Sequence, residues 1–433
     1  MKKINLFFCV FSLFLCMALT SCSSTPMMHS QALTVPKDFF GLVHAGRTIE
    51  DYPLLNEMRA VWILHTFYWN QIERQQGVFN FSTYDNIVNI AKQNNKKIIA
   101  ILAYTPSWID KRNGKIDYLS KNDIPDFLNY VEATVSRYKG KIDAWQIWNE
   151  PNFIFWRGTD NEFYELSRLT TLKIREIDPN AYIVGGGFHC SSFHWVPKKF
   201  IINMHKAGAM EHLDALSFHP YGFVPLDSIK MHDDFLNIIK EINFTGDILI
   251  TENGYPTSGY YPSSVSLKKF PAYIVKTIAG TAARAPKVLM WYQFSDKYNI
   301  GEYPNKTNSE FYFGLNYFDY TRKAGSWAFQ LCATYLPGSQ YNPELPKREN
   351  ISSGIISFFF SGNAPNSNTL IIWNDRSGAK KVRITADSPI TLHNISTGTN
   401  IVLPDRSVLD ITNEPVFITW QGSSKPLLTG VSK

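Results

Sequence analysis

Eight short β-branched and aromatic runs, separated by segments of helical period, limit most strongly what this chain can fold into. The runs are FFGLVHA (39–45), AVWILHTF (60–67), KIIAILAYTP (97–106), AWQIWNEP (144–151), AYIVGGGF (181–188), ALSFHPYG (215–222), DILITENG (247–254) and VLMWYQFSD (288–296). Between them Tyr84–Gln93, Ile124–Tyr138, Phe163–Ile177, Phe200–Ala207, Phe235–Ile242 and Ser266–Arg284 carry apolar residues near three- and four-residue spacing. Such alternation is the signature of a parallel sheet built from βα units. Eight units predict an α/β fold, a (β/α)8 TIM barrel over 37–335. Chemistry in such a barrel sits at the C-terminal strand ends, where this sequence places Glu150, His219, Glu252 and Trp291.

The chain, at 433 residues, is long enough to bury a full barrel core and something beside it. After Tyr335 the texture changes. LPGSQYNPELPKREN (336–350) is rich in Pro, Gly and charge, and the tail beyond it loses the helical period. Runs at 355–360, 369–373, 380–386, 407–411 and 415–420 predict a small antiparallel all-β sandwich over 350–433. Its expected role is to pack against the barrel; carbohydrate binding through Trp373 and Trp420 is the alternative to their being core.

The first residues read as an export signal rather than as fold. Lys2 and Lys3 precede an apolar run that closes on Leu19-Thr20-Ser21-Cys22, which resembles a bacterial lipobox. Residues 1–21 are then a signal peptide, Cys22 the lipidated first residue of the mature protein, and 22–36 a tether. The run is shorter than the ~20 residues of a membrane span. Ser23 lacks the acidic retention signal, so the outer membrane or cell surface is the expected location, with a lipid anchor as the membrane contact. Removing residues 1–21 lowers the net charge from +6 to +4, too little to suggest a nucleic acid partner, and no protein partner is indicated. Of the cysteines left, Cys190 and Cys332 are expected to be buried and free, a single bridge being the alternative.

Glu150 ends the fourth run, in WQIWNEPN (145–152), and Glu252 ends the seventh, in ILITENGYP (248–256). Strands four and seven face each other across an eight-strand ring, so both carboxyls point into one cleft. Two facing carboxyls are what glycosidic bond cleavage needs: a proton for the leaving oxygen and negative charge beneath an oxocarbenium-like carbon. A structural ion pair is the alternative for either glutamate alone.

The barrel resembles clan A of the glycoside hydrolases, through Asn149-Glu150 on strand four and Glu252 on strand seven, and is most similar to family 39, with its β-xylosidases, iduronidases and exopolysaccharide hydrolases. FYWNQIERQQGVFNFSTYD (67–85), YTPSW (104–108), RYKGKIDAWQIWNEPN (137–152), SFHPYG (217–222), MWYQFSD (290–296) and FGLNYFD (313–319) carry that resemblance. It implies a retaining hydrolase of an extracellular poly- or oligosaccharide, with Glu150 as acid/base, Glu252 as nucleophile and Asn149 on the sugar 2-hydroxyl. It further implies that His219 or Tyr221 orients the nucleophile and that Trp291 floors the subsite of the cleaved sugar. His44, Trp108 and Trp156 are further candidates for the cleft wall. The competing reading is a non-catalytic carbohydrate-binding lipoprotein on a degenerate barrel.

One departure stands out. Where relatives carry an arginine on strand two, this chain reads Ile63-Leu64-His65-Thr66-Phe67-Tyr68-Trp69. A substitute such as His65, a slower enzyme, or a local shift of alignment would each account for it. His44, His65 and His189 lie near strand ends and read as core histidines without ligand spacing, so no catalytic metal and no cofactor is expected.

Overall fold

Each apolar run becomes a barrel strand. In the computed structural model, which describes residues 33–431 apart from 115–117, 259–263, 299–307, 363–366 and 423–425, the strands are Phe40–Val43, Trp62–Tyr68, Lys97–Ala103, Ala144–Ile147, Ile183–Ser191, Ala215–Tyr221, Asp247–Asn253 and Val288–Trp291. They close in chain order, all parallel, the eighth pairing with the first at Leu289–Phe40. Side chains are buried on both faces of most strands, which is why the runs are continuously apolar instead of alternating.

The helices start where capping chemistry allows. Asp160–Ile177 is opened by Thr159, whose hydroxyl accepts from the Glu162 amide while the Glu162 carboxylate accepts from the Thr159 amide at 2.7 Å. Pro225–Glu241 begins well before the predicted Phe235, because a proline is tolerated in a first turn, where its missing N–H would have had no partner.

The C-terminal region forms two sheets. Seven strands run in the order Leu33–Thr34, Gln340–Tyr341, Ile355–Ser361, Ser367–Asn374, Val416–Gln421, Ile390–His393, Asn400–Leu403. Four more run Lys347–Glu349, Leu427–Gly430, Lys380–Thr385, Arg406–Ile411. Two expectations are corrected here. Leu33 and Thr34, read as tether, pair with Tyr341 and Gln340 at the sheet edge. Strands also form inside the expected linker, and one of them pairs parallel, with Leu427–Gly430.

Period-two alternation makes the larger sheet two-faced. Phe358, Phe360, Ile371, Trp373 and Phe417 join the barrel core, whereas Phe359, Leu370, Ile372, Ile418 and Trp420 face the second sheet. Trp373 is 0% and Trp420 2% exposed, so neither offers a sugar platform. Lys276 of the barrel helix Phe270–Ala282 lies 5.4 Å over the Trp373 ring and donates to Asn413 Oδ1 at 3.1 Å. Cys190 and Cys332 are free and buried. Cys22 and the export segment lie outside the described residues.

Candidate active site

The mouth of the barrel holds a cavity of about 560 Å³ with both glutamates in its wall. Strand four stops at Ile147, and the chain then turns through Trp148 (φ 61°) and Glu150 (φ 44°), left-handed conformations that side chains other than glycine rarely adopt. The Glu150 amide donates to the Gly187 carbonyl at 3.0 Å, which holds that turn against strand five. Gly187 itself needs to be glycine: its φ is +66°, and a Cβ would lie 2.6 Å from Gln146 Nε2.

Glu150, Glu252 and His219 each bring one polar atom within 4.8 Å of the others. His219 Nδ1 donates to Glu150 Oε1 at 2.8 Å and lies 3.7 Å from Glu252 Oε2. His189 Nδ1 donates to the same Glu150 oxygen at 3.1 Å. Tyr221 donates its hydroxyl to Glu252 Oε2 at 2.8 Å. Of the two candidates for orienting the nucleophile, Tyr221 therefore makes the bond and His219 stands between the carboxyls. His219 Nδ1 is spent on Glu150 and the Tyr221 hydroxyl on Glu252, at hydrogen-bond distance, and the trio reads as a proton-sharing cluster.

Electrostatics separate the two acids, in an order opposite to the expected roles. Burial pushes Glu252 up to about 7, aided by the charge of Glu150; attraction to His219 and the Tyr221 bond offset this only in part. Burial also acts to raise Glu150, yet the bonds from His189 and His219 outweigh it and bring it down to about 2. His219 is raised, since the charges of Glu252 and Glu150 and the bond to Glu150 overcome its own burial. The departure on strand two has its consequence here. His65 is fully buried, donates to the Ala45 carbonyl at 2.7 Å and is pushed down to about 4 by that burial, so it is no substitute cation for Glu252.

Asn149 donates to the Tyr104 hydroxyl at 3.2 Å, while its Oδ1 is buried without a partner beside Glu150. His44 lines the cavity and is held well below its ordinary value by burial and by Arg47. Three tryptophans do not reach the site. Trp291 is fully buried and packs on Tyr255, which bonds to Ser228 and Thr277 of the outer helices; alternation along the chain turns the next residue, Tyr292, into the cavity instead. Trp108 donates to the Glu73 carbonyl and stacks edge-on to Trp69, outside the cavity lining. Trp156 is 5% exposed, packed between Trp148 and Phe163. Reading His189 as a core histidine is likewise corrected, since it lines the cavity and bonds Glu150. Tyr68, Tyr104, Phe153, Tyr292, Glu310 and Phe313 also line the wall. Tyr104 directly follows the strand Lys97–Ala103, so position after a strand end was the signal available for it; Phe313 opens the FGLNYFD stretch, far beyond the last barrel strand, and had only that stretch to mark it.

The eight-strand barrel with its β-sandwich superposes on the family 39 glycoside hydrolase from the gut symbiont Bacteroides cellulosilyticus WH2 with TM-score 0.73 and 18% identity, covering 89% of this chain and 81% of that one. The fold is that of the clan A glycoside hydrolases. A GH39 β-xylosidase from Caulobacter crescentus gives TM-score 0.64 at 14% identity over 90% of this chain and 98% of that one. In sequence, the profile of glycosyl hydrolase family 10 matches residues 55–159, which include Asn149 and Glu150 but stop short of Glu252. Endo-1,4-beta-xylanase A of Phanerodontia chrysosporium is 36% identical over 87 residues, 19% of this chain and 20% of that protein. Endo-1,4-beta-xylanase C of the same organism is 28% identical over 176 residues, 37% of this chain and 43% of that protein. The chain thus matches less than half the length of either curated relative.

Proposed function

We propose that this protein is a retaining glycoside hydrolase that cleaves O-glycosidic bonds of an extracellular poly- or oligosaccharide. The observation that carries the reading is the pair of carboxyls from opposed strands, with oxygens within 4.8 Å, in one cavity roomy enough for a sugar. Retaining enzymes hold their carboxyls ~5–5.5 Å apart, and inverting ones ~6.5–9.5 Å to admit a water. Glu252 attacks the anomeric carbon as Glu150 passes its proton to the departing oxygen, giving a glycosyl ester on Glu252. Glu150, now ionised, takes a proton from water, and the resulting hydroxide displaces Glu252. The unpaired Asn149 Oδ1 is suited to accept from the sugar 2-hydroxyl.

Because the resting pair favours the proton on Glu252, substrate must move it to Glu150 before the first step. A cationic carbon forming above Glu252 favours that shift, since it stabilises the ionised nucleophile. Xylanases and a β-xylosidase among the similar proteins make xylo-oligosaccharides and aryl xylosides the first substrates to try. Glu252→Gln should abolish turnover of any activated glycoside the wild type cleaves; an unchanged rate removes Glu252 as nucleophile. NMR of the first-formed sugar should show the starting anomeric configuration.

Among the described residues no arginine or lysine bonds Glu252, which has His219 at 3.7 Å instead, and this favours a second reading, a carbohydrate-binding protein without turnover. Binding by calorimetry to oligosaccharides that are never cleaved would establish it. Export and anchoring at Cys22 to the outer membrane or cell surface belong to the same proposal. They rest on the basic, apolar and Leu-Thr-Ser-Cys pattern, and Cys22→Ala should release the protein from the membrane fraction.

A further inference from the structure

His189 is held more firmly than a core histidine requires. The Asn152 side chain grips its backbone twice: Asn152 Nδ2 donates to the His189 carbonyl at 2.9 Å, and the His189 amide donates to Asn152 Oδ1 at 2.9 Å. Phe153 stacks on the imidazole, centroids 4.1 Å apart and planes within 7°. Asn152 and Phe153 lie two and three residues after Glu150 in NEPNF, so the turn that carries the carboxyl also carries the clamp of its partner. The ring is thereby aimed through Nδ1 at Glu150 Oε1, the oxygen that His219 also meets. No described residue bonds Glu150 Oε2, and Glu150 lines the cavity.

We propose that His189 is a positioning residue for Glu150, occupying Oε1 together with His219 so that Oε2 alone faces the leaving group and carries the transferable proton. The inference rests on the glycosidase reading and deepens it. When Oε2 gives its proton to the leaving oxygen, the carboxylate left behind already has two N–H donors on Oε1, so its new charge is stabilised without rearrangement. Other groups face this pair. Glu252, Cys190, Tyr104 and Tyr221 interact with Glu150, and His194, its ring centroid 5.7 Å from that of His189, flanks the imidazole.

His189→Phe keeps an aromatic ring for Phe153 and removes Nδ1; His189→Asn restores a donor near the Nδ1 position. Carbon-13 NMR of the glutamate carboxyls in the free protein should show Glu150 titrating about one unit higher in His189→Phe, with most of the shift recovered in His189→Asn. In kinetics, His189→Phe should lower kcat on poor leaving groups about tenfold, with KM nearly constant and little change on activated aryl glycosides. Asn152→Ala, which loosens the clamp from outside the ring, should shift both readouts the same way by less, and serves if His189→Phe does not fold. An unmoved Glu150 titration, or equal losses on both leaving-group classes with no recovery in His189→Asn, overturns the proposal. Should the wild type cleave no glycoside, the glycosidase reading fails by itself, and the carboxyl titration still decides whether His189 holds Glu150.

Discussion

Two carboxyls this close cannot both ionise cheaply, so they titrate as a pair that keeps one proton over a wide pH range. Its steps fall at about 2 and about 7. The productive form carries the single proton. kcat/KM on substrates with poor leaving groups should therefore be flat from about pH 4 to 6 and fall as pH rises through about 7, as a pH–rate profile would show. Glu150→Ala should cost about 10²–10⁴-fold on such substrates and far less on activated ones. Tyr221→Phe removes the bond that favours ionised Glu252, so the upper step should rise and kcat drop about 10- to 100-fold. Stability carries the same signs. Glu252, raised when folded, contributes stability that is fullest below its unfolded value and is lost as pH rises through about 7; Glu150, depressed, contributes stability that is lost as pH falls through about 2. Glu252→Gln should accordingly raise Tm at pH 8 more than at pH 4, in thermal scans at the two pH values.

At the scale of elements, the strand ends place these groups, and they do so through close backbone contacts. A Cβ on Gly254 would sit 1.9 Å from the Tyr292 carbonyl oxygen, so strand seven approaches the end of strand eight only because glycine follows Glu252-Asn253. Gly254→Ala should destabilise by at least the ~1–3 kcal/mol typical of overpacking, read from urea unfolding, and should slow turnover by displacing Tyr292. Behind the same wall, Lys323 Nζ donates to Asp296 Oδ1 at 2.7 Å, and the Gly314 amide donates to that oxygen at 2.9 Å, both ion-pair partners being almost fully buried. This pins the segment that presents Phe313 to the cavity. Breaking one side with Lys323→Met leaves a buried charge and should cost about 3–5 kcal/mol.

For the whole molecule, the β-sandwich is a structural part of the barrel rather than an appended module. The central strands of its larger sheet give one face to the barrel core, and Leu33–Thr34, from the other end of the chain, completes that sheet's edge. A chain cut after Tyr335 would expose barrel surface that Phe358, Phe360, Trp373 and Phe417 cover, and should be recovered as aggregate in size-exclusion chromatography. Trp373→Ala should lower unfolding free energy by about 3–5 kcal/mol without changing KM, since the ring lies in the core and not in the cavity.

The sequence by itself determined the barrel, because eight strands buried on both faces leave eight unbroken apolar runs, and it placed Glu150 and Glu252 on opposed strands by counting alone. It also carried most of the sandwich, through short apolar runs such as 355–360 and 369–373 bounded by turn residues. Two-residue strands such as Leu33–Thr34 and Gln340–Tyr341 escaped, because two residues hold no period and form only when a partner strand is present. What lines the cavity was decided by tertiary structure alone. A strand's pattern does not say which of two neighbouring aromatics faces inward, so Trp291 went to the helix layer and Tyr292 to the site. Nor does it say where an imidazole points: His219 and His189 converge on one oxygen of Glu150, and His65 turns away to a backbone carbonyl, through contacts between residues far apart in the chain.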